Sequence, residues 1–344
     1  MIDFDRGGTM RYVEALLPRL RAIGAPVEEV SMQRAWPWSR RLPRQARILL
    51  HDLAWVPRGS VQLGRAMGAT IYHGAGFKVA PRAPFQTSVT IHDDTPWDRP
   101  PTARLYNRVY MRRAMEAAAP HLAGAITSTD STAAAILGRL PVLRGKLHVT
   151  PWGVDHEVFR PRPPEEAEQQ VARVGAARPY VVLVSPYGPR KNGPAMMQAL
   201  ARARDVVPGL HAVVVGRDDT QGRDLLPVLR AGRVSDDALA ALYSGASFLL
   251  YASLKEGFGL PVVEALACGC PVVTSRDSVL EEIGGAGVVT VDPGDVEAIA
   301  DACRRLLTDG AVREQLAQAG PPQAARFTWE ETARLSLQAW NNMA

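Results

Sequence analysis

Cysteine is scarce in this chain. Three residues among 344, Cys268, Cys270 and Cys303, cannot build a disulfide framework, and no His or Cys stands near them at metal-ligand spacing. A reducing compartment is expected, with the thiols as packing residues. No run of 18 uninterrupted apolar residues occurs, so no membrane-spanning helix is expected. The opening MIDFDRGGTMR holds charges where a secretory leader needs apolar residues, so a cytoplasmic location is expected. Low-complexity tracts and internal repeats are also missing, which excludes disordered and solenoid architectures.

What is there fits a globular enzyme-sized protein: 344 residues with 47% hydrophobic content exceed what one core supports, so two domains are expected. The charge is divided unevenly. Residues 1–150 carry 21 Lys and Arg against 11 Asp and Glu, net +10, whereas 151–344 carry 19 against 24, net −5. A positive first half implies an anionic acceptor, a membrane surface or nucleic acid as partner.

From Tyr180 onward, short apolar runs alternate with helical patterns. YVVLVS (180–185), HAVVVG (211–216), ASFLLYA (246–252), CPVVTS (270–275) and GVVTV (287–291) read as strands. Helices are expected at Met196–Arg204, Asp236–Gly245, from Pro261, and at Asp295–Leu307. Continuous apolar strands separated by helices imply a parallel sheet covered on both faces. The first half alternates less cleanly, with candidate strands at 26–30, 46–52, 69–73, 87–93, 124–128 and 146–151 and a helix at Met10–Ile23. The fold class is therefore α/β, two doubly wound Rossmann-like domains facing each other across a cleft, with ligands at the carboxyl ends of the strands. The proline-rich then acidic PRPPEEAE (161–168) reads as the linker, giving domains 1–160 and 161–326.

Four segments could carry chemistry. In SLKEGFGLPVVEALACGCPVVTS (253–275), Glu256 stands on a loop and Glu264 one turn inside a helix that starts near Pro261. Gly257, Phe258, Gly259 and Leu260 lie between, where glycines let backbone N–H groups approach a ligand. Paired carboxylates there suit a polyhydroxylated ligand, although a turn joining a strand to a helix would read the same way. After YVVLVS come Arg190 and Lys191 and then Gly193-Pro194, which is either a diphosphate clamp or a solvated pair of cations. His92, Asp93 and Asp94 end a strand; adjacent residues cannot all face one ion, so His92 is either a structural histidine or a substrate contact. Gly7-Gly8-Thr9 before the first helix gives a turn that phosphate can approach, with Gly8 the candidate contact. Asp218-Asp219 is adjacent rather than spaced as Asp-x-Asp, so no metal is expected.

These segments resemble retaining glycosyltransferases of the two-Rossmann-domain type, glycosyltransferase family 4, over most of residues 87–340. The resemblance implies a metal-independent transfer of a sugar from a nucleotide-diphosphate donor to a hydroxyl of a glycan, lipid-linked or small-molecule acceptor. It implies that Glu256 faces the donor sugar, Glu264 holds the ribose, Arg190 and Lys191 neutralise the leaving diphosphate, and His92 reaches the reaction centre. It also implies that the last helix, 327–344, packs back on the first domain. Pro151-Trp152-Gly153-Val154-Asp155 resembles the family's inter-domain turn, with Trp152 in place of Asn. Residues 20–86, the part that usually chooses the acceptor, match poorly. There, Trp36 and Trp38 lie among Arg34, Arg40, Arg41, Arg44 and Arg47, as in a loop meeting an anionic membrane or as in a solvated basic loop. Peripheral attachment to the inner face of the membrane is the matching expectation. A nucleotide-sugar epimerase or hydrolase on the same fold is the rival enzymatic reading. A nucleic-acid-binding protein is the rival of another class, although no nucleic-acid motif is present.

Overall fold

The computed structural model describes residues 8–29, 31–80, 82–98, 107–173, 175–176, 178–216 and 225–343. The MIDF segment, Gly7 and the Asp218-Asp219 pair lie outside these.

The chain forms two α/β units, one ending at Gly153 and regaining the chain at Trp329, the other spanning Val154–Thr328. In the first unit, β1 (Ile71–Gly74), β2 (Gln86–Thr90), β3 (Gly124–Thr127) and β4 (Leu147–Val149) form a parallel sheet in sequential order. The helix Gly8–Ala22 buries Tyr12, Leu16 and Leu20, a 4-residue periodicity that makes one apolar face. The final helix, Trp329–Met343, belongs to this unit and packs beside Gly8–Ala22, with an Arg19–Glu330 ion pair at 3.3 Å. Its Ala339 and Met343 join Ile126 in one apolar cluster, and Met343 lies so close to Gly124 that a Cβ there would meet its Cε at 2.6 Å.

In the second unit, β5 (Tyr180–Val184), β6 (His211–Val215), β7 (Val228–Gly232), β8 (Phe248–Tyr251), β9 (Val272–Ser275) and β10 (Val288–Val291) form one parallel sheet of order β10-β9-β8-β5-β6-β7. Four of the apolar runs seen in the sequence are its central strands β5, β6, β8 and β9, buried on both faces because helices cover each side, and the fifth is the part-buried edge strand β10. The chain starts at β5, builds outward through β6 and β7, then returns to the other flank of β5 with β8. The order therefore reverses between β5 and β8, and the loops leaving their carboxyl ends define the place where such sheets bind ligands.

Several expectations give way. Residues 46–52 are helical, not a strand: Arg44–Leu50 continues through a wide π-type stretch, His51–Gly59, into Ser60–Ala66. A short apolar run fits either element, and here Leu50, Trp55, Val56 and Leu63 pack with Met32 as the buried side of a long helical segment. Residues 25–29 are irregular rather than strand, with Glu28 and Glu29 offering no apolar face. The segment 161–168 is not all linker, since Pro164–Arg173 is a helix that starts at a proline and buries Ala167 and Val171. Strand β7, VLRAG, was not visible in the sequence because it lies at the sheet edge, where few of its side chains need be apolar.

Candidate active site

The loops leaving β5 and β8 meet at the switch point. Asn192 takes the left-handed conformation (φ 60°) just before the helix Gly193–Ala203. Its amide Nδ2 donates to Ala252 O (2.9 Å) and to Pro293 O (2.7 Å), tying together the segments that follow β5, β8 and β10. The Leu254 N–H donates to Arg190 O at 2.8 Å and adds a second tie. Lys191 is thereby placed to donate to Glu256 Oε1 at 2.6 Å and to Tyr251 Oη at 2.7 Å. The Tyr251 hydroxyl donates in turn to Glu256 Oε1 at 3.0 Å. Burial by itself would lower the Lys191 pKa, but the Tyr251 oxygen and the Glu256 carboxylate outweigh it and hold the ammonium well above its ordinary value. The side chains of Lys191 and Glu256 remain 24% and 10% exposed, so the pair is reachable from solvent.

Gly259 precedes the helix Leu260–Ala267 at φ +101°, a conformation that disfavours any residue with a Cβ, and a Cβ there would also overlap Leu280. The helix that follows this turn puts Glu264 on a buried face at 1% exposure. The Tyr243 hydroxyl approaches Glu264 Oε2 at 3.5 Å. Phe258 is turned inward and packs edge-on against Phe327 at 5.7 Å, so its ring anchors the loop. Gly257 and Leu260 lie on the same loop and first helical turn.

In the first unit, His92 follows β2. Its Nε2 lies 2.8 Å from Ala75 O, and a carbonyl can only accept, so Nε2 carries the proton. Its Nδ1 is then a lone-pair acceptor, buried and without a protein partner among the described residues. Burial lowers the His92 pKa, opposed by the Ala75 contact and Asp93, which keeps the ring neutral. Tyr12 and Trp152 hold the ring edge-on at centroid distances of 5.5 and 5.1 Å, and stack on each other at 5.2 Å. Asp93 and Asp94 are engaged separately: Asp93 Oδ1 accepts from Thr95 N at 2.9 Å, and Asp94 Oδ2 lies 3.6 Å from Arg139. Among the described residues no group of three or more His, Cys, Asp or Glu side chains is placed to hold a metal ion. Gly8 opens the helix Gly8–Ala22.

Residues 165–323, nearly all of the second unit, match the family model described as Glycosyl transferases group 1. O-antigen chain mannosyltransferase B of Escherichia coli is 28% identical over 283 residues, covering 78% of this chain and 74% of that protein. The chain is a glycosyltransferase. The MMP alpha-(1->4)-mannosyltransferase of Mycolicibacterium hassiacum is 30% identical over 259 residues, 71% of this chain but only 59% of that protein. Sucrose-phosphate synthase of Thermosynechococcus elongatus superposes with a TM-score of 0.74 at 22% identity, covering 97% of this chain and 93% of that one. The fold is accordingly GT-B, two parallel-sheet α/β domains.

Within this glycosyltransferase, Lys191 and Glu256 of the expected residues are in direct contact, and Glu264 lies buried with its Oε2 at 3.5 Å from the Tyr243 hydroxyl. Three residues of the site were not singled out from sequence: Tyr251, Asn192 and Tyr243. Tyr251 is the last residue of a strand at the switch point, a position that alone would have marked its polar tip. The three cysteines are buried and free, and burial pushes the Cys268 thiol up to about 12, so it stays protonated.

Proposed function

We propose that the chain is a retaining, metal-independent enzyme of glycosyltransferase family 4 that moves a sugar from a nucleotide-diphosphate donor to an acceptor hydroxyl. The observation that carries this reading is the Lys191–Glu256 pair at the β5–β8 reversal, with Glu264 buried one helical turn inside the adjoining helix. A cation and a carboxylate side by side fit a ligand that is anionic at one end and hydroxylated at the other. As the bond from the sugar to the diphosphate breaks, negative charge grows on the departing oxygen. Arg190 and Lys191 supply the positive charge that stabilises it, the contribution that usually dominates such reactions. Glu256 accepts hydroxyl hydrogen bonds from the sugar and Glu264 from the ribose, while the neutral His92, whose Nδ1 can only accept, takes a sugar hydroxyl. Gly8 and the Gly257–Leu260 loop offer backbone N–H groups to the donor. Mannosyltransferases among the relatives make mannose the first sugar to test.

The acceptor side is proposed to work at an anionic membrane surface. Trp38, Leu49 and Leu53 are 55%, 54% and 62% exposed, and Leu49 and Leu53 are four residues apart on one helical segment. Arg40, Arg41 and Arg58 are exposed in the same stretch, and its one acid, Asp52, is buried against Lys78 and His51. Exposed apolar side chains beside cations describe an interfacial helix. No described helix is long and apolar enough to cross a membrane.

Product analysis tests the reading. Incubation with a nucleotide-sugar should release nucleoside diphosphate and form a glycoside of retained anomeric configuration. An epimerised nucleotide-sugar, with no diphosphate released, would overturn it.

A further inference from the structure

Glu256 has two oxygens, and the protein uses them differently. Oε1 accepts from both Lys191 (2.6 Å) and Tyr251 (3.0 Å), whereas Oε2 has no protein hydrogen-bond partner among the described residues. Tyr251 has one proton to give. Because the ammonium can only donate to the phenol, that proton goes to Glu256, and the three groups close a ring in one sense only. Lys191 has three N–H donors, of which two are spent inside this ring.

The phenol is itself held still. Tyr251 is 2% exposed, its carbonyl accepts from Thr274 Oγ1 at 3.0 Å, and it lies in register beside Thr274 on β9. Burial and the adjacent Glu256 raise its pKa, so it remains a donor throughout the physiological range. Lys191 also lies 5.1 Å from the centre of its ring.

We propose that Tyr251 is the positioning residue for Glu256, keeping Oε1 occupied so that Oε2 stays turned to the donor sugar when Lys191 moves its charge toward the diphosphate. Without the hydroxyl, Lys191 is the one side chain among the described residues left holding the carboxylate, and Glu256 must follow the lysine or rotate free. A single phenol thereby separates two tasks that one ion pair could not perform together. This inference rests on the donor reading above, and its test is arranged so that the two fail separately.

The experiment compares wild type, Tyr251→Phe, Glu256→Gln and the double variant. The probe is the nucleotide-sugar that stabilises the wild-type protein best, water serves as acceptor, and release of nucleoside diphosphate is the signal. Calorimetry gives the Kd of the nucleoside diphosphate for each variant. Tyr251→Phe keeps the buried ring, and a melting curve near that of wild type confirms the fold. Its kcat should fall about 10- to 100-fold, the scale of one hydrogen bond to a charged group. Donor KM and nucleoside diphosphate Kd should change less than about threefold, and the hydroxyl loss should have little further effect in the Glu256→Gln background. Unchanged kcat in Tyr251→Phe together with a crippled Glu256→Gln overturns the role of Tyr251 and leaves the donor reading standing. A Kd that weakens as much as kcat falls also overturns it, because a structural defect would do that. Wild-type turnover in Glu256→Gln overturns the donor reading, and this proposal with it.

Discussion

Lys191 and Glu256 stand 65 residues apart in sequence and 2.6 Å apart in space, because their strands, β5 and β8, are neighbours on either side of the point where the sheet order reverses. The contact joins two sequence segments that, read alone, each had a bland explanation. A solvated Arg-Lys pair would have no reason to meet the loop carboxylate, and a simple turn would have no reason to keep that carboxylate nearly buried. Their union also explains why the lysine is held charged despite its burial.

The two glutamates should separate binding from turnover. Glu264, 1% exposed in the helix Leu260–Ala267, is proposed to hold the ribose, and Glu256, on the loop before that helix, to face the sugar. Glu264→Ala is expected to weaken nucleoside diphosphate binding about 10- to 100-fold, the loss of one or more hydrogen bonds to a charged group. Glu256→Ala should leave that affinity near wild type and lower kcat. Calorimetry of both variants checks the division, and equal nucleotide affinity in wild type and Glu264→Ala would remove the ribose role.

The second unit was legible because its central strands, YVVLV, HAVVV, FLLY and VVTS, are buried on both faces and are correspondingly continuous in apolar residues. The first unit was less so. Its helix from Arg44 to Ala66 begins with an apolar run short enough to pass for a strand, and only its continuation through Trp55 and Leu63 decides the matter. Single site residues were readable where they sat in glycine-flanked loops. Asn192 was not, since its role depends on which loops become neighbours: it bonds to carbonyls 60 and 101 residues away.

Chelation should leave the enzyme active. Arg190 and Lys191 are proposed to supply the positive charge at the leaving diphosphate, so turnover in excess EDTA should match the untreated enzyme within about twofold. Loss of activity that Mn²⁺ or Mg²⁺ restores would contradict this.

Acid should destabilise the first unit through His73. Its Nδ1 accepts from Trp340 Nε1 (3.2 Å), its Nε2 lies 2.8 Å from Thr90 Oγ1, and burial, with His92 nearby, lowers its pKa from 6.5 to about 3. The unfolded chain takes up a proton below its ordinary value and the folded chain does not until about pH 3. Stability is therefore full above pH 6.5 and falls as pH drops through that window. From pH 7 to 5 this one group should cost about 2 kcal/mol. Urea unfolding of wild type and His73→Gln at both values should show the acid loss smaller by that amount in the variant, and equal losses would mean that His73 does not titrate this way.

Membrane docking predicts a dependence on salt and on side chains that are already exposed. Vesicles containing anionic lipid should retain the protein at low salt and release it at high salt, each engaged arginine being worth about 1 kcal/mol. Arg40, Arg41 and Arg58 changed together to Ser, or Leu49 and Leu53 changed to Ser, should weaken retention. The two leucines are exposed, so their replacement should alter folding stability by less than about 0.5 kcal/mol. Equal, weak binding to neutral and anionic vesicles would point to a soluble acceptor.

Binding of a nucleotide-diphosphate sugar at the β5–β8 reversal is checked by a thermal-shift panel of UDP-, GDP-, ADP- and dTDP-sugars. A ligand present at a hundred times its Kd stabilises the folded chain by about 2.7 kcal/mol. One nucleotide class should raise the unfolding temperature of wild type, and Lys191→Ala and Glu264→Ala should each lose most of that rise. No shift with any nucleotide-sugar, or a shift that both variants keep in full, would contradict it.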